Sequence, residues 1–388
     1  AGSGPAAAAD PPKALDVDSA DDSVSLLQVE RGALKHSRRQ EPALFWAGKN
    51  GDLSRTGASA FTAPSNISAG PAWSFYGDLV RAAPVIDGQR NIYLSTIDGH
   101  VYKMSPQGSI IWKFKATAET PMVPALANGM FFATSTDGQA FALDMATGAL
   151  RWRVTAGPCS AGDTWSMTAT SSIVVLTVGA SNASCDVNSV VVVLDARDGS
   201  LKWTYRPATV IYNFLSAVVD GSLVFADMTG GVYRLDLESG REIWKFNDTD
   251  VNSFTTGGAV VGPNRVVYVT SNNWNGPEQV GRLSALRLDT GARLWYRDTD
   301  FTANNAPAVG ALHPSGAGPL SVVVGVGANP GAPPQRPGRH VGKVIAFDAE
   351  TGRRLDWQYS PPVWNFEAAA GDTLLPLHVC LPDAFSNP

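Results

Sequence analysis

The stretch that decides the fold is APVIDGQRNIYLSTIDGHVYKMSPQGSIIWKF, which covers residues 83–114. It contains four short runs in which apolar and polar residues alternate, and turn residues separate each run from the next. Alternation with a period of two is typical of strands, and Asp98-Gly99 between two such runs is a strong hairpin signal. The stretch therefore predicts a meander of four strands.

The same unit returns along the chain, for example as SAVVDGSLVFADMTGGVYRLDLESGREIWKF at residues 216–246. Most copies contain a turn of the form Asp-X-X-Thr/Ser/Asp-Gly, which is followed closely by a tryptophan. The tryptophans in this repeated place are Trp73, Trp112, Trp152, Trp203, Trp244, Trp295 and Trp357. Their spacings are 39, 40, 51, 41, 51 and 62 residues. This period predicts an all-β protein, a β-propeller of four-stranded blades, in which each tryptophan ends an outer strand and wedges between neighbouring sheets.

The composition excludes several classes of protein. Of the 388 residues 44% are hydrophobic and 17% are charged, which is enough apolar material for a full core and excludes wholesale disorder. No run reaches about 18 uninterrupted apolar residues, so we expect no membrane span. The net charge of −5 does not favour a nucleic-acid partner, because such a partner requires a clustered basic face.

At these repeats the chain resembles the pyrroloquinoline-quinone (PQQ) repeat family of quinoprotein-like propellers. The lead-in FWAGKNGDLSRTGAS at residues 45–59 is similar to the segment that precedes the first blade in that family. The resemblance covers about residues 44–360 and implies a propeller that usually has eight blades. The family includes quinone-dependent alcohol dehydrogenases and a non-catalytic outer-membrane assembly scaffold, and the repeat style here is closest to the scaffold. The resemblance therefore identifies a fold and leaves the function open.

We expect residues 1–40 to form a disordered tail or pro-region and residues 41–388 to form the propeller. Six blades run between Trp73 and Trp357, and Trp73 would end a further blade whose other strands come from the C-terminal side. Only 31 residues follow Trp357, and they stop in mid-blade. We therefore expect that this chain is a piece of a longer protein, that its propeller is incomplete at the C-terminus, and that the longer protein has eight blades. A ring of seven blades that residues 364–388 close is the alternative.

Two features favour a secreted or lumenal protein. Cys159 and Cys185 flank one insertion and form a candidate disulfide in an oxidising compartment. Asn66, Asn182 and Asn247 each begin an Asn-X-Ser/Thr sequon and are candidate glycosylation sites.

The family resemblance also implies an alternative function, that of a PQQ- and calcium-dependent alcohol dehydrogenase. Residues 270–276 resemble the stretch in which an Asn binds the calcium ion, which would make Asn272 or Asn273 the metal ligand. Asp298 or Asp300 would be the catalytic base. The adjacent cysteine pair of many of these dehydrogenases is absent, and so is a Cys-X-X-Cys-His haem motif. We therefore favour a reading of these four residues as turn residues.

The insertions at residues 158–185, 272–279 and 327–339 are the favoured functional elements, because insertions on a rigid ring form loops on its faces. Trp165 and Trp274 lie outside the repeat register, and each is either an exposed aromatic anchor or a cap of the core. We predict a binding or scaffold module without catalysis or cofactor. Its partner would be another protein or a glycan at a face of the propeller.

Overall fold

The computed structural model of the chain describes residues 44–59, 72–77, 79–161, 165–180, 188–248, 255, 257–273, 280–312, 318–327 and 342–359. In these ranges all helical or strand structure is β-strand. The strands form six antiparallel sheets of four strands each, and in every sheet the strands pair in chain order. We call these sheets blades 1 to 6.

The first three blades are formed by residues 85–205. Blade 1 consists of β1 (Val85–Ile86), β2 (Ile92–Ser95), β3 (His100–Met104) and β4 (Ile110–Lys115). Blade 2 consists of β5 (Ala125–Ala127), β6 (Met130–Thr134), β7 (Gln139–Asp144) and β8 (Leu150–Thr155). Blade 3 consists of β9 (Thr168–Ala169), β10 (Ile173–Val178), β11 (Val190–Asp195) and β12 (Leu201–Tyr205).

The other three blades are formed by residues 216–359. Blade 4 consists of β13 (Ser216–Val219), β14 (Ser222–Ala226), β15 (Val232–Asp236) and β16 (Glu242–Phe246). Blade 5 consists of β17 (Ala259–Val261), β18 (Val266–Asn273), β19 (Val280–Arg287) and β20 (Arg293–Asp298). Blade 6 consists of β21 (Ala308–Ala311), β22 (Leu320–Val326), β23 (Lys343–Asp348) and β24 (Arg354–Tyr359).

The antiparallel order gives each blade two distinct ends. The turns that join strands one and two, and strands three and four, lie at one end, which we call the turn face. The turns that join strands two and three, and the connections to the next blade, lie at the other end, which we call the loop face. First strands of successive blades, from β5 through β9, β13 and β17 to β21, lie side by side and so surround the axis of the propeller.

Six of the seven repeated tryptophans pack against a turn of the blade that follows them in the chain. The indole of Trp112 lies on Gly148 in a turn of blade 2, where an added Cβ would approach the ring to 2.8 Å. Trp112 Nε1 also donates a hydrogen bond to the Met145 carbonyl of that turn, at 3.1 Å. Only glycine fits here, because the ring covers the residue and its φ is +72°. The other pairs are Trp73–Gly108, Trp152–Gly199, Trp203–Gly240, Trp244–Gly291 and Trp295–Gly352.

Trp73 packs like a fourth-strand tryptophan, although it precedes blade 1. Its Nε1 donates to the Pro106 carbonyl at 2.9 Å, in the same turn as Gly108. The all-β propeller predicted from the repeats is confirmed, and the described residues contain six of its blades. The total of eight blades, with seven as the alternative, stays a prediction. The predictions for residues 1–40 and for the C-terminal 364–388 lie outside the described residues.

The middle strands carry the core, because both of their faces pack against other blades. β10 (IVVLTV) and β11 (VVVVLD) are buried along their whole length and have no polar face. The fourth strands differ. β4 and β8 each bury one tryptophan and expose two Lys or Arg residues. Lysine and arginine on such an outer edge oppose pairing with another copy of the same edge.

Candidate functional site

Residues 46–57 run past the first strands of the propeller, and we call this segment the plug. Trp46 exchanges two backbone hydrogen bonds with Ile86 of blade 1, at 2.9 and 2.8 Å. Four plug carbonyls accept hydrogen bonds from four other first strands, namely Ala47 from Leu126, Leu53 from Val218, Ser54 from Val261 and Thr56 from Val309. The first strand of a blade has one free edge, so the plug supplies partners that these buried backbone groups would otherwise lack.

Arg55 links the plug to blades 3 and 4. Its side chain is only 2% exposed. Its Nε donates to the Ser216 carbonyl at 2.8 Å, and its Nη2 donates to Thr168 Oγ1 at 2.5 Å. Its Nη1 donates to the Lys49 carbonyl at 2.8 Å, inside the plug. These acceptors are neutral oxygens, so burial lowers the pKa of Arg55 to about 10, and the charge of nearby Asp52 partly opposes this.

The plug contacts the first strands at different levels. Its partner Val261 is the last residue of β17, whereas Val309 is the second of four residues in β21. Arg55 reaches Thr168 and Ser216, which are the first residues of β9 and β13. The contacts of the plug are therefore not confined to one face of the propeller.

The strand ends that carry the long connections lie at the loop face. The insertions 158–185, 272–279 and 327–339 include connections between blades or between strands two and three, and the first also spans β9 and β10. They leave β8, β10, β18 and β22, and the antiparallel order brings all of these exits to one end. Much of each insertion lies outside the described residues, but the strands that carry them are described. Loops held on a rigid scaffold are where binding residues concentrate.

Trp165 lies at the base of the first insertion and is fully buried. Its Nε1 donates to Thr134 Oγ1 of blade 2 at 3.0 Å. The indole does not reach solvent, which favours the core role over that of an exposed aromatic anchor. Asn188 fixes the start of the same connection, since its side-chain amide donates to the Ala161 carbonyl at 2.6 Å and accepts from the Ala161 N–H at 3.0 Å.

Trp274, the other tryptophan outside the repeat register, lies outside the described residues.

Asn272 is buried at the loop-face end of β18. Its Oδ1 accepts a hydrogen bond from the Ala303 N–H at 2.7 Å, and its Nδ2 donates to Asn304 Oδ1 at 2.5 Å. The amide thus ties β18 to the connection that leads into blade 6. Its oxygen, which is the atom a calcium ion would need, already accepts this backbone hydrogen bond. The side chain of Asn273 lies outside the described part of the molecule.

Asp298 and Asp300 lie at the outer side of blade 5 and are both ion-paired. Asp298 ends β20, and its Oδ1 lies 2.7 Å from Arg282 Nε. Asp300 follows the strand and lies 3.0 Å from Arg354 Nη1 and 3.5 Å from Lys343 Nζ, both in blade 6. The hydrogen bonds from Arg354 lower the pKa of Asp300 against the opposing effect of burial, and the charges of Arg354 and Lys343 lower it further. Asp300 is therefore a stable carboxylate in a structural ion pair.

The register brings these candidates to one end of blade 5 without assembling them. Asn272 pairs with Gly281 across β18 and β19, and Arg282 pairs with Asp298 across β19 and β20. Two interstrand spacings, together about 10 Å, thus separate Asn272 from Asp298. In the part of the chain that the structure describes, no group of three His, Cys, Asp or Glu residues could hold a metal ion.

The residues that favour a secreted or lumenal protein lie only partly within the described ranges. Cys159 is buried, and Cys185 lies outside the described residues, so a bond between the two stays a prediction. Asn247 is exposed just after β16, whereas Asn66 and Asn182 lie outside the description. None of the described residues forms a helix that is long and apolar enough to cross a membrane.

Comparison with known proteins finds two kinds of relative. A quinohemoprotein alcohol dehydrogenase, ADH-IIG, from Pseudomonas putida is 32% identical over 170 residues, which is 41% of this chain and 20% of that protein. The outer membrane protein assembly factor BamB from Yersinia pestis is 24% identical over 230 residues, which is 56% of this chain and 53% of that protein. The chain thus spans about half or less of the length of these relatives.

Among solved structures, a europium-containing methanol dehydrogenase matches with a TM-score of 0.61 at 15% identity, over 84% of this chain and 80% of that one. This likeness shows the fold alone. The family model described as outer membrane protein assembly factor BamB matches residues 53–295 and 228–375, which together are more than half of the chain. The chain therefore belongs to this family of PQQ-type repeat propellers.

Proposed function

We propose that the protein is an extracytoplasmic binding or scaffold module that holds a partner protein at its loop face and carries out no catalysis. The observation that carries this proposal is that the residues a dehydrogenase would need for calcium and for proton transfer already bond to other strands and connections. The amide oxygen of Asn272 accepts from the Ala303 N–H, and Asp298 and Asp300 are held in ion pairs with arginines.

The described residues do not fit a PQQ and calcium site at these positions. Calcium takes about six to eight oxygen ligands, whereas Asn272 Oδ1 already accepts from the Ala303 N–H and the described residues hold no group of three His, Cys, Asp or Glu residues that could bind a metal ion. A general base for an alcohol needs a pKa near the working pH, whereas ion pairing lowers the pKa of Asp300. We derive no catalytic step from this arrangement. The PQQ- and calcium-dependent dehydrogenase remains the alternative function, since one curated relative carries that kind of name.

A protein partner is favoured over a glycan by the relatives. Two curated relatives are named outer membrane protein assembly factors, which is a name for a protein that works on other proteins. The buried Trp165 also removes one of the two aromatic side chains that a glycan site would have used. We place the protein outside the cytoplasm, with a disulfide between Cys159 and Cys185 and with glycans at Asn66, Asn182 and Asn247 where the host cell glycosylates.

The test compares the two faces of the propeller. A photo-crosslinking residue at Ala208, which is exposed in the connection between blades 3 and 4, reports on the loop face. The matched control at Gln107, which is exposed in the turn between β3 and β4, reports on the turn face. We expect a discrete crosslinked protein species from position 208 in the native compartment and none from position 107. The same species from both positions, or from position 107 alone, would contradict a binding site on the loop face.

A further inference from the structure

The outer strands carry a positive charge that the chain as a whole does not have. The fourth strands β4, β8, β12, β16, β20 and β24 contain nine Lys or Arg residues and three Asp or Glu residues, a net charge of +6. The whole chain has a net charge of −5. The circumference of the propeller is therefore basic while the rest of the molecule is acidic.

This charge is concentrated on blades 1 and 2. β4 and β8 contain Lys113, Lys115, Arg151 and Arg153 and no acidic residue, and all four cations are exposed. We call these four residues the basic edge. The two strands are neighbours in space, because the guanidinium of Arg153 lies 5.8 Å from the ring centre of Phe114 in β4.

Two cations of the basic edge are available for a partner. Lys115 and Arg151 pair with Asp98 and Asp144 of their own blades. Within the described ranges, neither Lys113 nor Arg153 forms an ion pair with a carboxylate. Apolar surface lies beside them, since Ile110 is 53%, Ile111 48% and Leu150 45% exposed. The basic edge therefore offers a partner both positive charge and apolar surface.

We propose that the basic edge docks an extended acidic segment of a partner protein, which adds to β4 or β8 as a further strand. Each of these strands is paired on one edge only. Side chains alternate along a strand, so Lys113 and Lys115 share one face of β4 and would meet alternate residues of the added strand, whereas Ile111 lies in the bulge where the register of β3 and β4 shifts. A cationic edge repels a second copy of itself and attracts an acidic strand. A lipid headgroup supplies the charge but has no backbone groups to pair with the free edge.

The basic edge is separate from the loop face. The docking proposed here does not depend on the function proposed for the loop face. Fourth strands form the circumference, whereas the insertions leave the ends of the blades. A partner can therefore occupy both surfaces at once, or each surface can bind a different segment.

The test uses a fluorescein-labelled peptide of ten alternating Glu and Val residues and the full chain, with fluorescence anisotropy as the readout. We expect binding that the double substitution Lys113→Glu and Arg153→Glu weakens at least tenfold. The matched control is Lys245→Glu, because Lys245 follows Trp244 as Lys113 follows Trp112, but Glu242 makes the net charge of β16 zero. We expect this control to change the affinity less than twofold.

A peptide of the same sequence with methyl groups on alternate backbone nitrogens keeps the charge but cannot pair as a strand, so we expect it not to bind. Equal binding of the methylated peptide, or equal weakening by Lys245→Glu, would overturn the proposal. Binding to phosphatidylglycerol vesicles with no binding of either peptide would overturn it in favour of a membrane surface. The variants Lys113→Gln and Arg153→Gln repeat the test with a smaller charge change if the double variant unfolds.

Discussion

Arg55 Nε donates a hydrogen bond to the carbonyl of Ser216, at 2.8 Å and across 161 residues of sequence. This bond joins the segment before blade 1 to the first strand of blade 4. With the backbone pairs of the plug, it makes one short segment the common partner of the first strands. The plug thereby holds the first strands of all six described blades together.

Replacing Arg55 with leucine should destabilise the protein by about 3 kcal/mol or more, because buried carbonyls that accepted from a charged donor lose their partner. Urea unfolding measures this loss. Arg90→Leu is the matched control, since Arg90 has a similar φ of 66° but is exposed, and it should cost less than about 1 kcal/mol. Similar losses for both substitutions would show that Arg55 does not hold the plug.

Gly148→Ala should cost about 2–4 kcal/mol, because its Cβ would strike the Trp112 ring and its φ is +72°. Gly221→Ala separates these two causes, since Gly221 has a φ of +65° but nothing within 4 Å of an added Cβ. It should cost only the backbone term of about 1 kcal/mol. Thermal or urea unfolding of the two variants gives the comparison. Equal losses would mean that the tryptophan adds no constraint.

Asn272→Ala should lower the free energy of unfolding by about 1–3 kcal/mol, because the buried Ala303 N–H loses its acceptor. The control is Asn264→Ala, since Asn264 is exposed and makes one bond, to Tyr268. We expect calcium to leave the stability of the native protein and of both variants unchanged. A native protein that calcium stabilises, and an Asn272→Ala variant that it does not, would assign Asn272 to a metal site.

The turn aspartates should make stability depend on pH in strong acid. The pKa of Asp144 is lowered to about 2, chiefly by hydrogen bonds from Arg151 and then from Thr147, and that of Asp195 is lowered to about 2, chiefly by Arg197. The unfolded chain, with ordinary aspartate pKa values near 4, binds more protons than the folded one. The two carboxylates therefore stabilise the folded protein fully above about pH 4, and this stabilisation is lost as the pH falls toward 2.

Carbon-13 NMR titration of the Asp144 carboxyl group measures this directly. We expect a midpoint near 2 in the native protein. In an Arg151→Gln variant the midpoint should move toward the ordinary aspartate value. A midpoint near 4 in both proteins would show that Asp144 does not contribute to the pH dependence of stability.

The blades could be predicted because their determinants are local. The Asp98-Gly99 turn and the Trp112 that follows it lie within one repeat. The role of Arg55 could not be predicted in this way, because its partners Thr168 and Ser216 come from other blades and carry no motif. In the sequence, Arg55 is recognised only as part of residues 45–59, which resemble the segment before the first blade in the PQQ repeat family.

In the candidate site, too, the residue could be found from the sequence but its distant contacts could not. The sequence singled out Asn272 as a residue of interest, but its bonds to Ala303 and Asn304 come from a connection about 30 residues later. The basic edge was hidden for another reason. A net charge of −5 averages over the chain, and only the strand pairing shows that Lys113 and Arg153 share the circumference.

The most direct test of the central claim is thermal unfolding of the protein with and without PQQ and Ca²⁺. A ligand that binds only the folded state at a hundredfold excess over its Kd adds about 2.7 kcal/mol of stability, which raises the midpoint by several degrees. The account of a non-catalytic binding module predicts an unchanged midpoint. A clear rise that requires both PQQ and Ca²⁺ would contradict it and would assign the protein to the quinone-dependent dehydrogenases.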